Sequence, residues 1–127
     1  MIAISEVIYV HSILIERFGG LRGIRDVRLL ESALSRPFQT FDGVELHQGI
    51  IPKAASLIES LLNNHPFVDG NKRLGYVIMR LFLLESGMDL FATQSEKYDF
   101  VIEIVSNKLS FEGICKWLEI HTMKRKE

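Results

Sequence analysis

Apolar residues recur three and four positions apart along most of this 127-residue chain, and this spacing constrains the fold more than any other feature. It places apolar side chains on one face of an α-helix. Alternating apolar and polar runs bounded by hairpin turns, which are typical of strands, do not stand out. The sequence therefore predicts an all-α fold, and its length predicts one compact domain over residues 1–127.

Six helices are predicted from local start and stop signals. Gly19 and Gly20 end the first, Asp26 caps the second before Pro37 ends it, and the capping-box spacing that starts at Thr93 begins the fifth. The predicted spans are residues 5–18, 26–34, 48–64, 71–86, 93–107 and 110–120. The fourth helix is apolar on nearly every side, so we expect it in the middle of the fold. We expect an exposed flap at residues 36–46. We also expect a frayed tail at Lys124, Arg125 and Lys126.

Charge and the N-terminal sequence exclude some classes of function. Fifteen Lys and Arg against sixteen Asp and Glu give a net charge of −1, so no overall positive field attracts nucleic acid or acidic membrane. The first twenty residues lack the basic start and cleavage site of a signal peptide, and no uncharged run reaches the roughly 18 residues of a membrane span. We therefore expect a cytoplasmic protein that binds neither nucleic acid directly nor membrane.

Residues 65–73, which read His-Pro-Phe-Val-Asp-Gly-Asn-Lys-Arg, concentrate polar groups between two strongly apolar helical stretches. The unpaired N–H groups and positive dipole end of a helix that begins near Asn71 are typical of an anion site. Gly70 lacks a Cβ, so a phosphate could approach its backbone closely. Lys72 and Arg73 oppose the helix dipole unless an anion binds beside them. This segment is therefore the candidate functional site.

His65 and Asp69 supply the acid–base groups of this segment. Histidine exchanges protons near neutral pH, so His65 is the candidate general base toward an attacking hydroxyl. A loop histidine satisfied by backbone is an equally open reading of the spacing. Asp69 could hold a Mg²⁺ ion that bridges phosphates, or it could cap the helix or pair with Lys72. The remaining histidines lack metal-ligand spacing and are expected in the core or on the surface: His11, His47 and His121.

The segment HPFVDGNKR resembles the signature of the Fic fold, in the variant found in the death-on-curing (Doc) toxins of bacterial type II toxin–antitoxin pairs. The flanking sequences GGLRGIRDVRLLESALSRPFQTF and LFLLESG extend this resemblance over residues 19–87. The resemblance implies an all-α fold in which the motif joins two helices. It also implies ATP as cosubstrate, Mg²⁺ as cofactor, and transfer of part of the nucleotide to a protein hydroxyl.

The resemblance implies roles for individual residues. His65 matches the catalytic base, Phe67 the residue that anchors the loop in the core, and Asp69 the magnesium carboxylate. Four further residues match the nucleotide-binding part of the motif. Gly70 and Asn71 match the anion nest, and Lys72 and Arg73 match the phosphate contacts.

Two departures from the wider Fic pattern favour phosphate transfer over AMP transfer. Lys72 replaces a glycine of the pattern HPFx(D/E)GNGR, and Tyr76 stands where a second arginine follows. Doc toxins share both changes, and the resemblance to them implies an inverted nucleotide that offers its γ-phosphate. It thus implies a Ser/Thr kinase that acts on elongation factor Tu and arrests translation. An AMP-transferase and a non-enzymatic nucleotide- or partner-binding module are the alternatives.

A self-inhibitory helix of the Fic type is not predicted. Its pattern has Ser or Thr four residues before a Glu-Gly or Glu-Asn pair, whereas Lys108 occupies that place before the pair at 112–113. The resemblance therefore implies an inhibitor in trans, an antitoxin whose C-terminal segment binds as an amphipathic helix to a groove of the toxin. The first two helices and the flap are the candidates for this surface. We expect the flap to align the target peptide, with Phe38 and Phe41 as contacts or, equally, as anchors under the loop.

Overall fold

The computed structural model describes residues 2–125, and α-helices dominate it. The helices are α1 (Ile4–Phe18), α2 (Val27–Ser35), α3 (Ile50–Asn64), α4 (Asn71–Glu85), α5 (Gln94–Val105) and α6 (Phe111–His121). Two antiparallel strand pairs accompany them, β1 (Thr40–Phe41) with β2 (Val44–Glu45) and β3 (Met88–Leu90) with β4 (Thr122–Lys124). The all-α prediction is confirmed, with these short strands as an addition. None of the six helices has the length and apolarity needed to cross a bilayer.

Helix ends follow the local signals in the sequence. The side chain of Asp26 accepts hydrogen bonds from two N–H groups of α2 at 2.9 and 3.3 Å. Thr93 and Glu96 form the complete capping box of α5, and Ser110 accepts an N–H from the first turn of α6 at 3.1 Å. Each of these caps satisfies N–H groups that lack partners inside the helix. As a result, the predicted helix bounds agree with the structure to within two residues.

The most enclosed helix is α3, because apolar clusters cover it on two sides. Eight of its fifteen residues are buried, against five of the fifteen in α4. One cluster joins α3 to α5 and α6, and the other joins it to α1, α2 and the start of α4. The prediction that α4 lies in the middle is therefore wrong. Helix α4 packs along α3 but exposes Leu81 on its outer side.

The flap at residues 36–46 has more structure than predicted. It begins with a 3-10 turn over Arg36–Phe38, which has a buried proline, and continues into the β1–β2 hairpin. Asp42 and Gly43 join the two strands with φ values of 56° and 78°, the positive φ that a two-residue type I′ turn requires. The prediction of exposure holds for residues 39–46 and fails for the base of the flap.

The two phenylalanines of the flap have different surroundings. The Phe38 ring meets Phe82 of α4 edge-on, with 6.2 Å between ring centroids, so it anchors the base of the flap. Phe41 lies in β1 with 73% of its surface exposed. The anchoring alternative thus describes Phe38, and Phe41 is the member of the pair that a partner can reach.

Lys124 and Arg125, which were predicted to fray, lie at the end of β4 and directly after it. Lys124 pairs with Met88, and the Arg125 N–H donates to the Gly87 carbonyl at 2.8 Å. The prediction is wrong for these two residues because a strand partner more than 30 residues away satisfies their backbone. Lys126 lies outside the described residues.

We expect Leu57→Ala to lower the free energy of unfolding by about 2–5 kcal/mol, because the Leu57 side chain is fully buried on the α1- and α2-facing side of α3. Urea denaturation measures the change. Leu46→Ala is the matched control, since Leu46 is 56% exposed in the flap, and it should alter stability by less than about 0.5 kcal/mol. Equal losses in the two variants would contradict the central position of α3.

Candidate active site

The six predicted site residues line one cleft of about 980 Å³ between the start of α4 and helix α5. They are His65, Asp69, Gly70, Asn71, Lys72 and Arg73. Gln94, Lys97 and Tyr98 of α5 form the opposite wall. The cleft has the volume of a small-molecule site, so the residues are brought together where a ligand fits, and their roles stay predictions.

The loop at residues 65–70 is held against the connection between α1 and α2, residues 20–26. The Val68 N–H donates to the Gly23 carbonyl at 3.0 Å. Two successive N–H groups of the connection donate to the Pro66 carbonyl at 2.8 and 3.1 Å, and an isolated antiparallel bridge lies between these contacts. The loop therefore has a fixed backbone although it belongs to no helix or sheet.

His65 ends α3 in the left-handed conformation, with φ 47° and ψ 58°. This conformation costs a residue with a side chain about 1–2 kcal/mol. The imidazole is exposed in the cleft and forms no hydrogen bond with any residue between 2 and 125. By contrast, ring nitrogens of His11 and His121 form hydrogen bonds. The alternative of a loop histidine satisfied by backbone is therefore wrong.

The side chain of Arg25 closes the C-terminus of α3, a contact that the sequence analysis missed. Its Nε donates to the His65 carbonyl at 2.7 Å and its Nη2 to the Asn64 carbonyl at 2.6 Å. Carbonyls in the last turn of a helix have no partner within it, so Arg25 satisfies two of them. The side-chain amide of Asn64 in turn donates to the Leu29 carbonyl at 3.0 Å, which ties the same helix end to α2.

Phe67 and His11 support the loop from below. The two rings are buried and stack, with centroids 3.8 Å apart and planes 13° apart. The His11 Nε2–H donates to the Asp69 carbonyl at 2.8 Å. Phe67 lies in the cluster with α1 and α2, as expected of a loop anchor, and His11 is a core histidine with a hydrogen bond into the loop.

The Asp69 carboxylate accepts backbone N–H groups instead of capping α4 or pairing with Lys72. Leu21 N–H donates to Oδ2 at 3.1 Å and Gly70 N–H to Oδ1 at 2.8 Å. These two hydrogen bonds, the one from Leu21 first, hold the pKa of Asp69 below its usual value, so the carboxylate is charged at neutral pH. Within residues 2–125 no group of three or more acidic, Cys or His side chains could hold a metal by itself. A Mg²⁺ ion at Asp69 would need phosphate oxygens as further ligands.

Gly70 is explained by α1 more than by a phosphate. Its φ is +76°, and an added Cβ would lie 3.1 Å from Ile15 Cδ1 and 3.6 Å from His11 Nε2. Gly20 shows the same kind of approach, since a Cβ there would lie 2.9 Å from Asp69 Oδ2. The packing of α1 thus requires glycine at position 70, and the approach of a phosphate to the Gly70 backbone stays a prediction. Both glycines let α1 and its connection come close to the loop.

Asn71 turns its side chain back into the loop. Its Nδ2 donates to the Phe67 carbonyl at 2.9 Å, and its Oδ1 accepts the Phe67 N–H at 3.0 Å. The Oδ1 and one of the two Nδ2 hydrogens are therefore committed to the loop. What remains for the predicted anion nest is the start of α4, where the N–H groups of Asn71, Lys72 and Arg73 have no acceptor within the helix.

Four cations line the cleft: Arg25, whose side chain donates to backbone carbonyls, and Lys72, Arg73 and Lys97. Asp69 is the one carboxylate among the residues that line it, and in the described part of the chain none of the four cations forms an ion pair. Arg73 and Lys97 lie instead over aromatic rings, at 4.1 and 5.9 Å from the ring centroids. Positive charge left unpaired in a concave site favours an anionic ligand.

Sequence reasoning missed Lys97, which belongs to the polar face of α5. Residues 94, 97, 98 and 101 share that face and all line the cleft. The spacing is visible in the sequence. What the sequence does not tell is which helix this face meets, since α5 begins more than 20 residues after the motif.

Comparison with known proteins agrees with this geometry. The sequence profile of the Fic/DOC family matches residues 2–83, which include α1 to α4 as far as Leu83 and both sides of the loop contact. This chain belongs to the Fic/DOC family. It is also 43% identical over 75 residues to Toxin Doc of Mycolicibacterium smegmatis (strain ATCC 700084 / mc(2)155), a match that covers 59% of this chain and 58% of that protein. The chain thus matches less than two thirds of the length of this relative.

Tyr76 stands where the wider Fic pattern has its second arginine. The side chain lies in α4 and lines the cleft, but its hydroxyl is buried and has no hydrogen-bond partner among the described residues. Burial raises the pKa of Tyr76, so the phenol stays neutral. This position of the family site therefore carries no positive charge.

We expect Asn71→Ala to lower the free energy of unfolding by about 1–3 kcal/mol, because the Phe67 N–H and carbonyl would both lose their partner. Chemical denaturation measures the change, and Asn63→Ala, at an exposed position of α3, serves as the control with little effect. Unchanged stability together with weaker nucleotide binding would instead make the Asn71 side chain a ligand contact.

The lowered pKa of Asp69 makes folding stability depend on pH. Above the usual value of 3.8 the carboxylate is charged in both states and its stabilisation is complete. Below that value the unfolded chain takes up the proton first, so the stabilisation is lost as pH falls towards the folded pKa. We expect the free energy of unfolding of the wild type to fall more steeply below pH 3.8 than that of Asp69→Asn, measured by urea denaturation. Parallel curves would show that the two N–H groups do not hold the charge.

Proposed function

We propose that this chain is the toxin of a bacterial toxin–antitoxin pair and transfers the γ-phosphate of ATP to a Ser or Thr hydroxyl of a protein. The observation that carries this proposal is the charge of the cleft. Lys72, Arg73 and Lys97, which form no ion pair within residues 2–125, line the cleft together with the free N–H groups at the start of α4. One charged carboxylate and an imidazole without a hydrogen bond to the described residues lie in the same cleft. This set suits a polyphosphate and a hydroxyl nucleophile.

The reaction assigns each group a task. His65 takes the proton of the target hydroxyl as the oxygen forms its bond to the γ-phosphorus and the bond to the ADP oxygen breaks. The N–H groups of α4 with Lys72 and Arg73 hold the phosphates in place. Asp69 is the carboxylate available to Mg²⁺, which when bound neutralises phosphate charge.

Lys72 and Tyr76 support phosphate transfer over AMP transfer. Tyr76 is neutral and its hydroxyl is buried, so it supplies no clamp for a terminal phosphate at the place of the second arginine. Lys72 puts a long cationic side chain where the wider family has glycine. Both features disfavour the nucleotide orientation of the AMP-transferases and favour the inverted one that presents the γ-phosphate.

Elongation factor Tu is the protein substrate that we propose, with arrest of translation as the result. The resemblance to Doc toxins supports this, as does the 43% identity to a protein named Toxin Doc. A target segment has exposed apolar surface beside the cleft at Val68 and exposed aromatic surface on the flap at Phe41. Those are the contacts that a protein substrate needs in addition to its hydroxyl.

An antitoxin is the proposed inhibitor. Helix α6, which contains the Glu-Gly pair at 112–113, lines no part of the cleft, so the described chain offers no inhibitory helix of its own there. A largely apolar groove of about 410 Å³ lies where α1, α2 and the flap meet, lined among others by Ile2, Ile4, Leu34 and Phe38. This groove suits the apolar face of an amphipathic helix from the antitoxin.

Parallel incubation of the protein with γ-labelled and α-labelled ATP, Mg²⁺ and a bacterial lysate tests the proposal. We expect one γ-labelled protein band, and His65→Ala should reduce its labelling by about 10²- to 10⁴-fold with an unchanged circular dichroism spectrum. His47→Ala is the matched control and should retain activity.

Other outcomes discriminate the alternatives. An α-labelled band would make the protein an AMP-transferase. ATP binding in calorimetry without any labelled band would favour a binding module. Full labelling by His65→Ala would exclude His65 as the base.

A further inference from the structure

We propose that Arg25 is a positioning residue for His65: it holds the backbone of the general base in its left-handed conformation and never touches the substrate. The proposal rests on the proposed function, in which His65 accepts the hydroxyl proton. It concerns a side chain that lies 40 residues away in sequence and outside the nine-residue motif.

Three successive carbonyls accept hydrogen bonds from this one arginine. Its Nη2 and Nε donate to Asn64 and His65 at 2.6 and 2.7 Å, and its backbone N–H donates to Pro66 at 2.8 Å. The carbonyls before, at and after the left-handed residue are thus fixed by one residue of the α1–α2 connection. Rotation of the His65 backbone out of this conformation would break these bonds together.

The conformation of His65 needs such a restraint. Positive φ is unfavourable for a residue with a Cβ and persists where its surroundings determine it. The imidazole itself has no hydrogen bond within the described chain, so nothing at the ring fixes its position. The backbone restraint leaves both ring nitrogens open for a hydroxyl while limiting where the ring can go.

A direct role of Arg25 in anion binding is disfavoured by the same contacts. The side chain lines the cleft, but its Nε and Nη2 donate to carbonyl oxygens. Its positive charge lies at the C-terminal end of α3, where the helix dipole favours a cation. The planar guanidinium donates two bonds in one plane, and the point charge of a lysine cannot reproduce both.

Enzyme kinetics of Arg25→Ala and Arg25→Lys, with Arg28→Ala as control, test the proposal. Arg28 is an exposed arginine that follows Arg25 by three residues. Its side chain makes no hydrogen bond or ion pair to the described residues. We expect Arg25→Ala to lower kcat about 100-fold, as for a displaced catalytic group, and to leave the dissociation constant for ATP in calorimetry within twofold. Arg25→Lys should recover part of kcat, and Arg28→Ala should match the wild type. A kcat of Arg25→Ala equal to that of the wild type, or a loss of ATP affinity as large as the loss of kcat, would overturn the proposal.

Histidine NMR signals give a readout that needs no activity. The chain has four histidines, so their ring and Cα signals can be assigned by substitution. In Arg25→Ala we expect the His65 signals to shift and broaden while those of His47 and His121 stay in place. Unchanged His65 signals in this variant would refute the positioning role.

A wild type that transfers no label would refute the proposed function, and the His65 signals would still decide the role of Arg25. If Arg25→Ala fails to fold by circular dichroism, Arg25→Gln, which keeps one amide donor, replaces it in both measurements.

Discussion

The contact between two connections, residues 20–26 and residues 65–70, is the interaction on which the site depends. Neither segment belongs to a helix or a sheet, so each has backbone groups that must find partners elsewhere. They satisfy one another through Gly23, Pro66 and the side chain of Arg25. The cleft therefore forms only when α1 and α2 have packed on one side of α3 and α5 on the other, because the loop rests on the first pair and faces the last.

Several positions in this contact accept only particular residues or need neighbouring contacts to hold their conformation. His65 and Gly70 have positive φ at either end of the loop, and Gly20 approaches the Asp69 carboxylate so closely that a methyl group would not fit. The Asn71 side chain joins both the N–H and the carbonyl of Phe67 to the start of α4. These hydrogen bonds form without any ligand. In the proposed reaction, a His65 backbone and an Asp69 carboxylate held in this way would need little reorganisation when a substrate binds, which is the condition for preorganised catalysis.

Sequence reasoning succeeded where the signal is local and failed where it depends on a distant partner. Asp26, Ser110 and the Thr93–Glu96 pair cap helices a few residues away, so the helix bounds follow from spacing. Lys124 forms a strand because Met88 lies opposite, and no local pattern says so. The nine-residue motif contains all six predicted cleft residues, whereas the fold brings Lys97 of α5 to the same cleft. The tasks of Asn71 and Gly70 within it could not be read from the sequence, because they are set by Phe67 and by α1.

The cations of the cleft lie in a chain whose net charge is −1, so their positive charge is local to this site. Lys72 and Arg73 lie in the first turn of α4, where the dipole opposes them, and no described acidic side chain pairs with them. Stacking of Arg73 on an aromatic ring offsets only part of this cost. Folding alone would favour acidic residues at that helix end. The polyphosphate of the proposed function would reverse this balance, because it would pair with the cations and with the helix dipole at once. Residues that weaken the free fold would then strengthen the complex, so binding of such an anion would be coupled to the stability of this end of α4.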